Sequence, residues 1–366
     1  KEFANRQPAS GIHLIFIEEP EAHLHPQMQS VFIRKLEEIR ELFATRYNDG
    51  NPWPVQFVVT THSSHIANEA TFDSIRYFRT QERQAGSTML KTDIKDLRTG
   101  LGDEDAANRE FLHKYMTLTR CDLLFADRAI LIEGATERLL LPVMIRKSDD
   151  AVADTDPKLG SQYLTIMEVG GAHAHLFFRL LDFLNLRTLV ITDLDTTKKI
   201  TKKNSAGKTI TTWDKCPVSE GERSSNSCIN SWFKDTLGEN PSCEDLLLKD
   251  SVEKTKGNRR LAFQIPHTVE DACGRSFEDA FMLANPDKFE IIGTTPAQRE
   301  AQSWDLAKKI DKTDFALEYA IIDTDWTTPR YIDECLRWLA VSAATAADAA
   351  EEVAVTTVGD EENADA

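Results

Sequence analysis

Short apolar runs alternate with a segment of helical periodicity in the first third of the chain. Residues 12–17 and 55–60 are apolar and rich in β-branched side chains, which is typical of buried strands. Between them, residues 26–43 place Met, Phe, Leu and Ile on one face of a helix. Residues 73–78 predict a third strand. This order is that of an α/β unit.

A second alternation follows, with strands predicted at 129–132, 164–169 and 188–192 and helices at 136–145 and 172–184. After a polar interruption at 196–258, residues 261–265 predict another strand. Further helices are predicted over 277–283, 297–308, 314–321 and 331–339. Such alternation predicts a mainly parallel sheet flanked by helices, whose ligands bind beyond the carboxyl ends of the strands.

These patterns divide the chain into segments. We predict a first α/β domain over residues 1–85, a polar connector with some helix over 86–125, and a second α/β domain over 126–340. The second domain contains a polar insertion at 196–260. Residues 341–366 form an acidic tail that predicts disorder, because it offers few large apolar side chains for burial.

The formal net charge of −17 disfavours contacts with phosphates, which need Lys and Arg. The distribution of charge changes this picture. The tail from Asp348 onward holds seven acids and no base, whereas residues 196–215 hold six lysines against one aspartate. A carboxylate cluster that binds cations also counts as negative when the ions are left out. The net charge therefore does not exclude a nucleic-acid partner.

The six cysteines are scattered without a CxxC pair, which argues against a zinc ribbon and fits reduced thiols. No run reaches the roughly 18 apolar residues of a membrane span, and no signal peptide opens the sequence. These features predict a cytoplasmic protein with no membrane partner.

Polar clusters follow the first two predicted strands: EEPEAHLHP at residues 18–26, and Thr61-His62-Ser63 after the second strand. At such strand ends one carboxylate can hold Mg²⁺ through water, a second can polarise the attacking water, and a histidine can contact a γ-phosphate. Glu18, Glu19 and His62 are the candidates for these roles in ATP hydrolysis.

This arrangement resembles the Walker B, D-loop and switch-histidine segments of ABC-type ATPases, with Glu18 where most members have Asp. The form IEEPEAHLHP is specific to a few ABC-like groups, including the OLD (overcoming lysogenization defect) nucleases. The chain contains no GxxxxGK[ST] phosphate loop; the similar stretch ending at Thr209 has Lys202 in place of the first glycine. The resemblance implies the C-terminal portion of an ABC-type ATPase head, with ATP hydrolysis only in a longer protein.

A second set of carboxylates follows the strands of the second domain. Glu133 would lie at a strand end, Gly134 permits a sharp turn, and Glu137 falls in the first turn of the next helix. The strand at 188–192 leads into Asp193 and Asp195, and period-two alternation predicts both side chains on one side. Such carboxylates repel one another unless a cation lies between them, and oxygen ligands favour Mg²⁺ or Mn²⁺. Two such ions suit phosphodiester cleavage.

The sequence strand-Glu-Gly-x-Thr-Glu, followed by strand-Asp-x-Asp, resembles the Toprim signature of topoisomerases, primases and OLD nucleases. The segments 275–281 (RSFEDAF) and 312–316 (KTDFA) resemble the OLD family itself, including the nucleases of Gabija systems. The resemblance implies an α/β, Rossmann-like Toprim domain with helical additions. It assigns one ion to Glu133, Glu137 and Asp193, a second to Asp195, Glu278 and Ser276, and charge stabilisation to Lys312.

Simpler interpretations exist for each motif alone. An Asp-x-Asp sequence often caps a strand in solvent, Glu278 suits a helix N-terminus, and Lys312 could be a surface residue. Four lysines beyond the Asp-x-Asp motif could follow a DNA backbone or only be solvated: Lys198, Lys199, Lys202 and Lys203. Trp213 and Trp232 could stack on bases, although packing is the simpler expectation.

The resemblance implies a DNA endonuclease that uses Mg²⁺ or Mn²⁺ and is coupled to an ATPase in the longer protein. It further implies dimerisation through the ATPase portion, a UvrD-like helicase as a partner in some systems, and a role in anti-phage defence or DNA repair. The alternative is an ATP-dependent DNA clamp of the RecF or SMC kind with a non-catalytic Toprim domain. A topoisomerase would need a separate DNA-gate domain, and a primase would need a zinc module.

Overall fold

The computed structural model describes residues 13–47, 55–82, 89–100, 112, 114, 122–203, 209–268 and 270–341. The chain forms two compact units, Lys1–Phe125 and Ala126–Ala366. Except for Val341, the tail predicted to be disordered lies outside the described residues. Among the described residues, no helix is both long enough and apolar enough to span a membrane.

The first unit contains two parallel strands, β1 (His13–Glu18) and β2 (Val55–Thr60), which pair so that Glu18 lies opposite Thr60. Helix α1 (Pro26–Tyr47) connects them, and α2 (Ser64–Glu69) follows β2. The prediction that the first strand is buried is wrong for the described residues. Leu14 and Phe16 are 54% and 71% exposed, because no described element covers the face they share.

Two antiparallel strands lie on either side of the predicted boundary, one in the predicted first domain (1–85) and one in the predicted connector (86–125). Strand β3 (Arg76–Glu82) pairs with β4 (Leu90–Asp96), and the short helix α3 (Leu97–Gly100) follows. The expectation of a loop with some helix is therefore wrong at 90–96. The sequence LKTDIKD alternates charged residues with Thr and Ile, so its polarity obscured a strand whose two faces are both largely accessible.

The second unit is built on a five-stranded sheet in the order β11-β12-β7-β5-β6. Four of its strands are parallel: β5 (Arg128–Ile132), β6 (Leu164–Glu168), β7 (Arg187–Ile191) and β12 (Arg259–Ala262). Strand β11 (Thr255–Lys256) is antiparallel to β12. The fold is thus the predicted α/β class with a mainly parallel sheet.

Helices flank this sheet and enclose the core. They are α4 (Ala135–Asp150), α5 (Phe178–Leu184), α8 (Phe277–Ala284), α9 (Pro296–Ala307), α10 (Lys312–Leu317) and α11 (Arg330–Ala340). The core includes Ile130 and Ile132 of β5, Leu140 of α4 and Phe281 of α8. Phe281 lies at the centre of an aromatic cluster with Phe315, Tyr319 and Trp326. These contacts pack α8 and α10 against each other.

The predicted polar insertion is a folded part of the second unit. It contains the hairpin β8 (Thr196–Lys203) and β9 (Thr209–Lys215), strand β10 (Arg223–Ser224), and helices α6 (Ser227–Leu237) and α7 (Cys243–Leu247). Trp232 on α6 is only 1% exposed and packs edge-on against Phe178 at 5.3 Å between ring centroids. The hairpin lysines make the insertion polar in composition. This polarity obscured helix α6, which supplies part of the core.

Five cysteines lie in the described part of the chain, and all are free, buried thiols: Cys216, Cys228, Cys243, Cys273 and Cys335. Burial raises the pKa of Cys243 to about 12 and that of Cys335 to about 11, because a thiolate is poorly solvated in the protein interior. These thiols are therefore protonated at neutral pH.

Candidate metal centre

Two neighbouring parallel strands bring their terminal carboxylates together. Glu133 directly follows β5, and Asp193 lies two residues after β7. Gly134 is the N-cap residue of α4, and Glu137 lies in the first turn of that helix. A cavity of about 270 Å³ lies at this end of the sheet, and its lining includes Glu133, Glu137, Asp193 and Lys312. The residues predicted from three separate segments thus share one cavity.

Glu133 is held by three donors on its Oε1 atom. The Thr192 hydroxyl donates to it, as do the Asp193 backbone N–H at 3.1 Å and the Asn226 side-chain amide at 2.9 Å. Asn226 lies in the insertion and is only 1% exposed. Sequence reasoning missed it, because a lone Asn before a helix predicts only a cap.

Asp193 is held by Gln264, which comes two residues after β12. The Gln264 side-chain amide donates to Asp193 Oδ1 at 2.7 Å, while its carbonyl oxygen accepts from the Leu194 N–H at 2.7 Å. Gln264 is completely buried. The position of Gln264 in the sequence could have indicated this role, because an amide side chain interrupts the apolar run LAFQI where a strand ends.

Glu278 is linked to the cavity by an ion pair with Lys312, which is one of the lining residues. The Lys312 ammonium lies 2.8 Å from Glu278 Oε1, and the Glu278 side chain is only 4% exposed. Thr136 and Ser276 donate to the two oxygens of Glu278 at 3.3 Å and 3.1 Å. Ser276 is also the N-cap residue of α8. Glu278 is therefore the buried end of an ion pair and not only a favourable charge at a helix N-terminus.

Asp195 departs from the predicted geometry. Residues 192–195 are not part of a strand, and Asp195 adopts a left-handed backbone with φ of 49°. The predicted strand-like alternation of Asp193 and Asp195 is therefore wrong. The Asp195 carboxylate accepts a hydrogen bond from the Arg275 guanidinium at 2.5 Å. It lies near Asp193, whose pKa its charge helps to raise, but its charge is already compensated by arginine.

The electrostatics of the cavity disfavour so many negative charges. Burial, and then the charge of Glu133, raise the pKa of Asp193 well above its usual value. Burial is also the main reason that the pKa of Glu137 rises to about 7, with Glu278 and Glu133 adding to it. Burial alone would lower the pKa of Lys312, but the charge and hydrogen bond of Glu278, together with the charges of Asp193 and Glu137, outweigh burial and raise the pKa. The site is short of positive charge.

The donor chemistry fits a hard divalent cation, since carboxylate oxygens are its preferred ligands and their repulsion is relieved by it. With the side chains in their present positions, however, no group of three His, Cys, Asp or Glu in the described part of the chain is arranged to ligate one ion. Lys312 and the amides of Asn226 and Gln264 contact oxygens that an ion would bind. Ion binding therefore requires these carboxylates to adjust.

The first unit holds the candidate ATPase residues together at the ends of β1 and β2. His62 Nε2 lies 3.4 Å from Glu19 Oε1, and both side chains are at least half exposed. Glu19 has a left-handed backbone with φ of 39°, and Glu18 is the last residue of β1. Sequence reasoning gave no role to Glu21, whose carboxylate accepts from the Thr61 hydroxyl at 2.9 Å and the His62 N–H at 2.6 Å. Glu21 thus fixes the turn that carries His62.

The four lysines predicted to contact DNA all lie on β8, but they are not equivalent. Lys198 forms an ion pair with Glu220, and Lys202 pairs with Asp214 at 3.3 Å. Lys199 and Lys203 project from the opposite face of the hairpin, as the strand register requires.

Comparison with known families identifies the class of both units. Residues 124–195 match the family described as overcoming lysogenization defect protein-like, TOPRIM domain. Residues 2–67 match the AAA ATPase domain family. These matches confirm the resemblance drawn from the motifs, since the chain carries an OLD-like TOPRIM segment and an ATPase segment.

Two curated nucleases are homologous to this chain. Endonuclease GajA of Bacillus cereus is 31% identical over 366 residues, covering 90% of this chain and 49% of that protein. OLD nuclease of Thermus scotoductus is 27% identical over 195 residues, covering 52% of this chain and 33% of that protein. The chain thus spans about half the length of the first relative and a third of the second.

Among solved structures, the C-terminal region of the Burkholderia pseudomallei OLD protein is similar at 19% sequence identity and a TM-score of 0.33. It covers 59% of this chain and is itself covered completely.

Proposed function

We propose that this chain carries a divalent-metal-dependent endodeoxyribonuclease site of the Toprim type. The observation that supports it most is the cavity that gathers Glu133, Glu137, Asp193 and Lys312 from three segments far apart in sequence. Both curated relatives are named as nucleases, which supports a nuclease activity and a DNA substrate. The division at Phe125 supports a Toprim domain that begins near residue 126.

In this proposal Glu133, Glu137 and Asp193 hold one ion, while Asp195, Glu278 and Ser276 serve a second. The ions, Mg²⁺ or Mn²⁺, supply an activated water and stabilise the leaving oxygen when bound. Thr192, Asn226 and Gln264 orient the carboxylates. Lys312 stabilises the negative charge that develops on the phosphoryl group, because its ammonium already lies at the cavity wall beside Glu278.

For the longer protein, we propose that Glu18, Glu19 and His62 take part in ATP binding and hydrolysis by an ABC-type head. Dimerisation would use that head, and the system would include a UvrD-like helicase and act in anti-phage defence or DNA repair. The contact between Glu19 and His62 supports the ATPase part of this proposal, since both groups must face one γ-phosphate.

The deciding experiment incubates supercoiled plasmid with this chain and Mg²⁺ or Mn²⁺, beside the Glu133→Ala and Asp193→Ala variants. We expect nicking by the unaltered chain and none by either variant. Metal-dependent nicking that persists at full rate in Asp193→Ala would contradict the site and favour a DNA clamp in which these carboxylates are structural. Circular dichroism of each variant establishes that it is folded.

A further inference from the structure

The hairpin β8–β9 has two chemically different faces. Residues opposite each other in an antiparallel pair share a face, and Lys199 lies opposite Trp213 while Lys203 lies opposite Thr209. We call the face with these residues the lysine–tryptophan face. Its members are all exposed: Lys199, Thr201, Lys203, Thr209, Thr211, Trp213 and Lys215.

The opposite face is largely half-buried and its charges are compensated. Ile200 and Ile210 turn toward the protein, and Lys198 and Lys202 are paired with Glu220 and Asp214. On the lysine–tryptophan face, by contrast, no ion pair is formed by the three lysines with any acid in the described part of the chain. The nearby Glu222 accepts from the backbone N–H of Lys199 at 3.0 Å, at the edge of the strand. The outer face therefore presents uncompensated positive charge.

Trp213 on this face is held as a partly open aromatic platform. The Arg223 guanidinium carbon lies 3.7 Å from the centroid of the Trp213 ring, and Arg223 projects from the same side because it pairs with Thr197 on β8. The Arg223 cation covers one face of the indole ring, and the Trp213 side chain remains 39% exposed. The residues that flank Trp213 on this face of the hairpin are lysines and threonines.

We propose that the lysine–tryptophan face binds a single strand of nucleic acid, with its phosphates on Lys199, Lys203 and Lys215 and one base stacked on Trp213. Stacking on an aromatic side chain requires a base with a free face, which an unpaired strand offers and an intact duplex does not. Lys199 and Lys203 are about 13 Å apart along the strand, so they can follow an extended backbone. Because β8 begins directly after Asp195, the bound strand would lead to the carboxylate cavity. This proposal rests on the proposed nuclease function and names its substrate strand.

The test measures binding separately from cleavage. Fluorescence anisotropy in EDTA compares a labelled oligothymidylate with a blunt hairpin duplex. The double variant Lys199→Ala/Lys203→Ala is set against Lys198→Ala/Lys202→Ala, which removes the same charge from the other face of the same strand. We expect the first variant to bind the single strand roughly tenfold more weakly, with a salt slope shallower by about 1.4. The matched variant should weaken binding at most about twofold, since its lysines are already paired with acids.

Trp213→Ala should weaken binding of the single strand roughly fivefold to a hundredfold, and Trp213→Phe should retain most of the affinity. Equal losses in the two lysine variants, or tighter binding of the duplex, would overturn this proposal and leave Glu133-dependent nicking untouched. If the unaltered chain binds the strand through this face but never nicks DNA with metal, the nuclease proposal fails instead. Thermal melts confirm folding, and the lysine pair decides the result if Trp213→Ala is unstable.

Discussion

The side-chain amide of Asn226 donates to Oε1 of Glu133 at 2.9 Å, although 93 positions separate the two residues. The other end of the same side chain accepts from the N–H groups of Cys228 and Ile229 and so caps helix α6. One asparagine therefore fixes both the insertion helix and a proposed metal ligand at the end of β5.

Replacing Asn226 with Ala should raise the Mn²⁺ concentration needed for half-maximal nicking by about 10- to 100-fold, as expected for a residue that orients a metal ligand. The lost cap should also cost about 1 kcal/mol of stability. Asn226→Asp keeps a capping oxygen but loses the amide donor, so it should melt closer to the unaltered chain and still need more metal. Wild-type nicking by both variants at limiting Mn²⁺ would contradict an orienting role.

Lys312→Met should reduce the rate of nicking by about 10²- to 10³-fold, because it removes the ammonium proposed to stabilise the developing charge. Lys312→Arg should recover part of that rate, since the positive charge is retained on a wider group. Rates at saturating metal and DNA separate this effect from weaker binding. A Lys312→Met protein that nicks at the original rate would limit Lys312 to its ion pair with Glu278.

With metal removed by EDTA, the free energy of unfolding should fall as pH rises from about 4.5 to about 7. This is the interval between the usual and the raised pKa of Glu137. In this window the folded protein binds more protons than the unfolded chain, so the free energy of unfolding falls with rising pH. Asp193 acts in the same direction.

Melting in EDTA across this window, beside Glu137→Gln, tests that expectation. Across this window, the melting temperature of Glu137→Gln should change by a few degrees less than that of the unaltered chain. Adding Mn²⁺ at the upper end of the window should restore stability in the unaltered chain, because an ion that binds only the folded state stabilises it. Identical pH profiles for the two proteins would show that burial of Glu137 is not the cause.

Trp232→Ala should destabilise the second unit by roughly 3–5 kcal/mol, because a fully buried indole leaves a large cavity. Trp213→Ala should cost far less, since Trp213 is 39% exposed. Denaturant unfolding of both variants provides the comparison. Similar losses would mean that the hairpin is as tightly packed as α6.

This chain alone should hydrolyse no ATP above a Glu19→Gln control. The reason is the missing GxxxxGK[ST] loop, without which the phosphates lack their backbone donors and lysine. Phosphate release in the presence of Mg²⁺ measures ATP hydrolysis. Turnover by the chain that disappears in Glu19→Gln would contradict the expectation.

The parallel strands and the positions of Glu133, Glu137 and Asp193 followed from sequence, because apolar runs define strands and the next polar residues must lie at their ends. Asn226 and Gln264 could not be predicted in this way. Their contacts join segments about 70 to 90 residues apart, and the contact of Asn226 also depends on how the insertion packs.

Local backbone conformation explains the other errors. Strand alternation had placed the Asp195 side chain on the same side as that of Asp193, but Asp195 has a left-handed backbone and its carboxylate pairs with Arg275. In β4 the alternation of charged and small residues obscured a strand with little burial. At Asp195 the hydrophobic pattern carried no information about the left-handed backbone, and in β4 the polar sequence had too little apolar periodicity to indicate a strand.

Because the cysteines in the described part of the chain are buried, a cysteine introduced on the β8–β9 hairpin could be labelled selectively. Cys216, Cys228, Cys243, Cys273 and Cys335 are shielded and protonated, so alkylating reagents that need an accessible thiolate should spare them in the native protein. Once Cys121 is replaced by serine, a single cysteine introduced at Thr201 would accept a fluorophore or a photocrosslinker. Such a probe would report directly which molecules approach the hairpin during turnover.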